Sequence, residues 1–539
     1  MAVSITDVIA YRRLVAAGND ELWYEDLNVA AGTMVELAAA NGDIDTSDQL
    51  IMFEGYQKVF VVNGANLKIA DFVNTKLTIT APTTAPTRGS TVTQATSNAT
   101  MVVDFVNTAK TEIYGKTTSG TFVTTDGYTL SGGGMDPADR VPSAVAEATT
   151  TPHWYDWTVY PDGASGSMPA KAYLGCLYQG RPMLAGHPDY PYQWYMPRQA
   201  DHTDWAYVAN DAQSPVAGND ADAGEIGDII RCLIPYKDDF VVMGCATTIW
   251  VLAGNPAEGG TIQEVDLTEG IFGADSWCFD GDNNLYFWGT SGIGRVARDF
   301  KSTINLTEIS LPALIDDEAA DPSTHRITME YDRKRHGLLI CITLLADGTN
   351  SNYFFSLNEA TIGLYPESYP EECGTYSLFY YDSNDKTYRD LLIGCKDGYI
   401  RKFDNTAEDD DAGGSDDAIS SHVALGPFEL GPGGHEGSIE SIEAFITGGD
   451  PGGTETDSDD IGYKLFTGRS AGAVAEAVDA NSGEKVSGTF QATGRPRGRR
   501  KRQRVRGAFA GIRLANTTAG EKISFDRLIV NTTKKGRLK

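Results

Sequence analysis

Helical periodicity is almost absent from this sequence. Only short stretches near residues 4–16, 311–319 and 471–478 carry apolar residues at helical spacing. Helical bundles and helical repeats are thereby excluded. No run of about eighteen apolar residues occurs, so no membrane-spanning helix is expected. The opening MAVSITDVIAYRRLVAAGNDE lacks an apolar signal core, which points to synthesis and folding in a cytoplasm. Cysteine is scarce and scattered: Cys176, Cys232, Cys245, Cys278, Cys341, Cys373 and Cys395 are odd in number and form no C-x-x-C. They read as reduced core residues, against a disulfide framework or a metal site. Basic residues are also few, 44 against 74 acidic ones, giving a formal net charge of -30.

The groupings that carry common chemistries are missing as well. His153, His187, His202, His325, His336, His422 and His435 include no pair at ligand spacing and no H-E-x-x-H. There is no G-x-S-x-G elbow. Gly115-Lys116-Thr117 ends like a phosphate-binding loop, but Lys110 stands where its first glycine is required. Asp280-Gly281-Asp282-Asn283-Asn284 lacks the downstream acid of a calcium loop and reads as a hairpin turn. The expectation is a chain with no cofactor, no metal and no enzymatic activity.

Strand signals recur from end to end. Val59–Val62, Asn63-Gly64 and Leu67–Phe72 read as a hairpin, as do Asp239–Gly244 with Thr248–Leu252 and Leu391–Gly394 with Tyr399–Asp404. Glycine, 58 residues, supplies the turns. The units repeat loosely at roughly 45–60 residues, which suits four-stranded propeller blades. A run of hairpins in stacked sandwiches remains the alternative. The expected fold is all-β: a β-propeller of about six blades, an inserted small β module and a C-terminal β-sandwich-like domain. The expected division is an arm with the first propeller strands (1–82), the Thr/Ser/Gly-rich inserted module (83–142), the propeller body (143–404), an acidic linker (405–422) and the C-terminal domain (423–539).

Against the acidic background stands Arg495–Arg506, RPRGRRKRQRVR, in which eight of twelve residues are basic. Fifteen Lys and Arg lie between Gln491 and Lys539 with only Glu521 and Asp526, leaving 72 acids for the first 490 residues. Arg500, Arg502, Arg504 and Arg506 fall at every second position, so a strand would carry them on one face. Continuing that register gives Ala508, Ala510, Ile512 and Leu514. The candidate docking residues are Arg497, Arg499, Arg500, Lys501, Arg502, Arg504 and Arg506. They would meet an acidic protein surface or a phosphate backbone; a basic tail or localisation signal is the plainer reading. Two aromatic runs, His153–Trp157 and Tyr190–Tyr195, offer a second candidate: Trp154, Trp157, Tyr192, Trp194 and Tyr195 as a contact surface or sugar platform, or simply as core.

Several stretches resemble the β-propeller tail nozzle, or packaged-DNA stabilisation protein, of short-tailed bacteriophages. They are Ile230–Gly244 leading to Thr248–Gly254, then Thr268-Glu269-Gly270-Ile271-Phe272-Gly273, Leu285–Trp288 and Ser291-Gly292-Ile293-Gly294-Arg295-Val296. The basic strand followed by Gly511-Ile512-Arg513-Leu514 and Arg527-Leu528-Ile529-Val530 is similar to the end of such proteins. The resemblance implies a structural virion protein of the tail: a homo-oligomeric ring, six copies in nozzle proteins, below the portal and adaptor, with viral double-stranded DNA passing through. It would help retain and eject the genome. A receptor-binding or baseplate propeller, or a carbohydrate-binding or -cleaving propeller, is the alternative.

Overall fold

The computed structural model describes residues 13–18, 21–26, 33–37, 50–64, 67–148, 151–218, 226–357, 363–404, 407, 409–412, 415–431, 434–446, 458–492 and 498–537. The chain divides into two compact units, 1–347 with 351–366 and 375–402, and 348–350 with 367–374 and 403–539. Both are built almost entirely of antiparallel strands.

The first unit is a succession of small sheets, each made from consecutive hairpins. The first sheet is Val15–Gly18, Glu21–Glu25 and Met34–Glu36. The second is Ile51–Gly55, Lys58–Val62, Leu67–Asp71 and His153–Asp156. The third is Leu174–Tyr178, Arg181–His187, Tyr190–Met196 and Val216–Ala217; the fourth is Ile230–Tyr236, Phe240–Cys245, Ile249–Ala253 and Thr261–Asp266. The fifth is Trp277–Phe279, Leu285–Trp288, Ile293–Val296 and Thr303–Asn305; the sixth is His325–Asp332, Gly337–Leu344, Asn350–Ser356 and Gly363–Glu367. The seventh is Thr375–Tyr381, Asp390–Cys395 and Ile400–Lys402.

Each of the first five sheets shares a core with the next. Leu22 and Tyr24 of the first meet Val61 and Ala70 of the second. Phe60 and Val62 of the second meet Leu184 of the third. Met183, Ala185 and Trp194 of the third meet Leu233, Val241 and Met243 of the fourth. Val242 and Val251 of the fourth meet Leu285 and Phe287 of the fifth. Tyr286 and Trp288 of the fifth meet Ile327, Leu338 and Ile340 of the sixth. Neighbouring residues of one strand thus serve two cores: Val241 and Met243 face one way, Val242 the other. This is why Gly337–Leu344 is apolar without alternation and buried on nearly every residue, as strands covered on both faces must be.

The last contacts are polar. Lys334 pairs with Asp390 at 2.5 Å, and the Arg333 guanidinium lies 3.9 Å above the Tyr380 ring. The Tyr381 hydroxyl of the seventh sheet donates to Glu25 of the first. The unit is therefore a propeller-like array in which the last sheet reaches the first. Seven sheets make up this succession among the described residues, one more than the expected count of about six. The difference arises at the start, where the stretch taken for a helix near 4–16 and an arm includes Val15–Gly18, a strand paired with Glu21–Glu25; residues 4–12 lie outside the described ones. The other two expected helices are present as Leu314–Glu318 and Ala471–Asp479, the latter capped by Ser470, whose hydroxyl accepts from the Ala473 amide at 3.3 Å.

The inserted module leaves the second sheet after Asp71 and returns at His153, residues that pair directly. Its own six-stranded sheet runs Leu130–Gly132, Thr91–Gln94, Thr100–Val106, Glu112–Ser119, Thr75–Thr78 and Ala144–Glu147 in spatial order. Leu77, Val92, Met101, Ile113 and Leu130 form its core. The module thus starts earlier and ends later than residues 83–142.

The second unit is a two-sheet sandwich. One sheet orders Ser421–Glu429, Phe509–Asn516, Ile461–Gly468 and Val486–Phe490; the other orders Gly498–Gly507, His435–Ile446 and Phe525–Arg537. Ile439, Ile442 and Val505 of the second pack against Leu465, Ile512 and Leu514 of the first. The stretch expected as an acidic linker contains a hairpin, Asp409–Ala412 with Ser415–Ala418. High charge predicts solvation; backbone pairing depends on a partner strand that composition does not report.

Replacing Ile340 by Ala tests the shared-core arrangement. Truncation of this fully buried side chain is expected to cost about 2–5 kcal/mol, read as a lowered denaturant midpoint with an unchanged slope.

Candidate interaction surface and buried charge network

The basic strand Gly498–Gly507 is an edge strand paired with His435–Ile446. Val505 is buried, and Gln503 donates to the Tyr463 hydroxyl at 2.8 Å, so the odd register faces the core. Arg502, Arg504 and Arg506 are exposed on the opposite face. None of the three has an ion-pair partner among the described residues. Lys501 is half-buried; Arg499 and Arg500 continue the strand opposite Ala444 and Glu443, and Arg497 lies outside the described residues. The register does not run on as the sequence suggests. At Gly507–Ala508 the chain passes from one sheet of the sandwich to the other. Ala508, Ala510, Ile512 and Leu514 consequently enter the core. The face bearing the arginines is extended by exposed Arg527, whose guanidinium lies 4.3 Å above Phe445. Lys535 pairs with Glu440 at 3.2 Å; that bond holds Glu440 below the usual carboxylate range, with Arg504 contributing.

The five aromatic candidates do not form one surface. Trp157 is 3% exposed and Trp194 fully buried, in cores on different sides of the third sheet. Tyr192 is 43% exposed, while Trp154 and Tyr195 are half-buried. Strand alternation separates residues that are adjacent in sequence. Trp154 lines a cleft of about 350 Å³ with Lys68, Glu112 and Asp156, but Lys68 stands over its ring at 6.0 Å and pairs with Asp156 at 2.7 Å.

A charge network absent from the sequence reading joins the inserted module to the propeller-like array. Asp104, on the module strand Thr100–Val106, accepts from Lys58, from Asn74 at 2.9 Å and from Arg88 at 3.0 Å. Arg88 also pairs with Asp201 at 3.2 Å. Buried Asp71 accepts from Tyr155 at 3.0 Å and from Asn74 at 2.7 Å. Burial alone would raise the Asp104 pKa; the Lys58 ammonium, with Arg88, holds it well below the usual range. His202 packs at 5.4 Å from both Tyr56 and Phe60, and neither ring nitrogen has a hydrogen-bond partner among the described residues. Burial first, then Lys58, keeps its imidazole neutral well below its ordinary 6.5. Residues 58, 104 and 202 are too far apart in sequence for spacing to reveal them.

Among the described residues no group of three or more His, Cys, Asp or Glu could hold a metal ion, and no helix is long and apolar enough to cross a membrane. All seven cysteines are buried and free of disulfides. Burial raises the Glu330 carboxyl to about 7, but one raised carboxyl is not an acid–base pair.

No family model matches the chain, and no curated protein matches it. Among solved structures it is similar to apo AztD from Citrobacter koseri, at 10% identity and a TM-score of 0.29, covering 73% of this chain and 94% of that one. It is also similar to the phage phi92 endosialidase, at 9% identity and a TM-score of 0.25, covering 73% and 69%. An extracellular domain from Bacteroides thetaiotaomicron is similar at 10% identity and a TM-score of 0.21. The match covers 72% of this chain and spans about half, 48%, of that one.

The His202 environment sets an acid response. The unfolded chain binds a proton below about pH 6.5 that the folded site refuses, so stability falls as pH drops through that value. Asp104 adds a loss only below the ordinary 3.8 of an aspartate. His202→Phe should flatten the decline in melting temperature between about pH 7 and pH 5, leaving the loss at more acidic pH in place. An unchanged slope in that interval would exclude His202 as its source.

Proposed function

We propose that this chain is a structural virion protein of a bacteriophage tail. It forms a nozzle-like ring that continues the DNA channel below the portal and adaptor and helps retain and eject the genome. The observation carrying this reading is the row of exposed arginines at 502, 504 and 506, without ion-pair partners among the described residues, on a chain of net charge -30. A predominantly acidic body suits a DNA-conducting passage because it repels phosphate and leaves the duplex free to slide. The basic face then docks the subunit onto an acidic neighbour through charge-assisted hydrogen bonds. The partners in this reading are further copies of the chain, six to a ring, the adaptor or portal, other tail proteins and the viral double-stranded DNA. Its location is the virion tail after synthesis in the host cytoplasm. The chemistry asked of the chain is mechanical and electrostatic, and no residue is assigned to catalysis.

The double substitution Arg500→Glu with Arg502→Glu should block tail assembly in infected cells while the purified chain keeps its far-ultraviolet circular dichroism and melting temperature. Normal tailed particles carrying both changes would refute the docking role. Labelling of the chain in intact particles should place it in a closed ring of the tail; cleavage of a host glycan by the purified chain would favour a carbohydrate-active propeller instead.

A further inference from the structure

The sandwich carries a second charged feature, of opposite sign. In the hairpin Asp409–Ala412 with Ser415–Ala418, Asp410 stands directly opposite Asp417. Like charges so placed on a two-stranded ribbon are destabilising unless a counter-charge approaches. Burial raises the Asp410 carboxyl, and Asp417 and then Asp409 raise it further. No basic residue pairs with Asp410 or Asp417 among the described ones. The hairpin is held by Asp409, whose carboxylate accepts from the Gly520 amide. Gly520 precedes the strand Phe525–Arg537, whose first residue pairs with Ile446. At that same end Gly498, the first residue of the basic strand, pairs with Phe445. The basic strand then runs away to pair Arg506 with Ser438. At about 3.3 Å per residue, Arg506 lies roughly 26 Å along the strand from Gly498, beyond the reach of its own hairpin.

One unit thus presents, near one end, an acidic hairpin with no basic partner among the described residues, and, extending towards the other, a basic sheet face whose acidic neighbour Glu440, beside Arg504, is already paired with Lys535. We infer that the exposed face of Arg502, Arg504 and Arg506 binds the Asp410–Asp417 hairpin of a second copy of this chain. Asp410 and Asp417, directly opposed across the hairpin, stand about 5 Å apart and match neighbouring arginines that repeat at about 6.6 Å along the basic strand. Two different patches that complement each other make a heterologous contact, which propagates from copy to copy into a closed ring or an open filament. The inference extends the tail reading by naming both halves of the subunit contact, but its geometry lies wholly within the second unit. Duplex DNA on the same face is the competing occupant, and the test separates the two.

The full-length chain is followed by sedimentation velocity at low salt and again at high salt. The wild type should self-associate at about 0.05 M salt and dissociate as screening rises towards about 0.5 M. Arg502→Glu with Arg504→Glu and Arg506→Glu should weaken association at least about tenfold, as should Asp410→Lys with Asp417→Lys. Circular dichroism reports whether each variant is folded; Asp410→Asn with Asp417→Asn, which keeps the side-chain shape, should weaken association to a smaller degree. The two charge-reversed chains mixed in equal amounts should associate again, because each reversed patch meets its complement. Failure of the folded variants to recover on mixing would overturn the inference. So would a wild type that stays monomeric, or an arginine variant that associates like the wild type. A wild type that stays monomeric yet binds a 24-base-pair duplex, with binding lost in the arginine variant, would reassign the face to nucleic acid. A ring in the virion tail indifferent to these substitutions would sink the inference and spare the tail reading. Charge-paired association by a chain missing from tails would do the reverse.

Discussion

Burial of both faces of the second to fifth sheets is the constraint on which the first unit depends. A four-stranded sheet with two apolar faces has no stable existence in water, because each face needs a neighbour. Val242 and Met243 are adjacent in sequence and serve cores on opposite sides of their sheet. The fourth sheet therefore requires both the third and the fifth, and the requirement passes along the chain until Tyr381 reaches Glu25. Loops and sheet edges are free of this requirement. The inserted module exploits this: it enters and leaves through the paired residues Asp71 and His153, so a whole six-stranded sheet is accommodated with the second sheet's pairing intact.

Charge is handled in two ways, and burial decides which. Lys58 is 2% exposed and is matched by Asp71 and Asp104, as a buried ammonium must be. Arg502, Arg504 and Arg506 lie in water, where an unpaired guanidinium costs little. Exposed positive groups on an acidic chain are accordingly free to select a partner, whereas the buried network is committed to holding the module in place. The same contrast divides the aromatic residues. Trp157 and Trp194 are core, and Tyr192 is left to solvent.

Much of the strand pattern was legible. The turn at Asp280–Asn284 could be read from its polar residues, and in the fold the Asp280 carboxylate accepts from the amides of Asp282 at 2.9 Å and Asn284 at 2.8 Å. The alternation of the basic strand was legible too, since pleating is local and places Arg502, Arg504 and Arg506 on one side whatever the strand packs against. The continuation of that register into Ala508 and Ile512 was misleading. A crossing between sheets at Gly507 changes what the same register faces. The hairpin within residues 405–422 was hidden beneath its charge.

Sequence alone determined that this protein is built of β-strands, that its turns fall at glycine, asparagine and aspartate, and that Arg502, Arg504 and Arg506 share one face of one strand. These properties follow from dihedral preference and the two-residue period of a pleated chain, both local. Tertiary structure alone decided the number of sheets, which core each side chain enters, and the meeting of Lys58, Asp104 and His202. Those depend on what lies across a face, and the neighbour across a face is supplied by residues tens or hundreds of positions away.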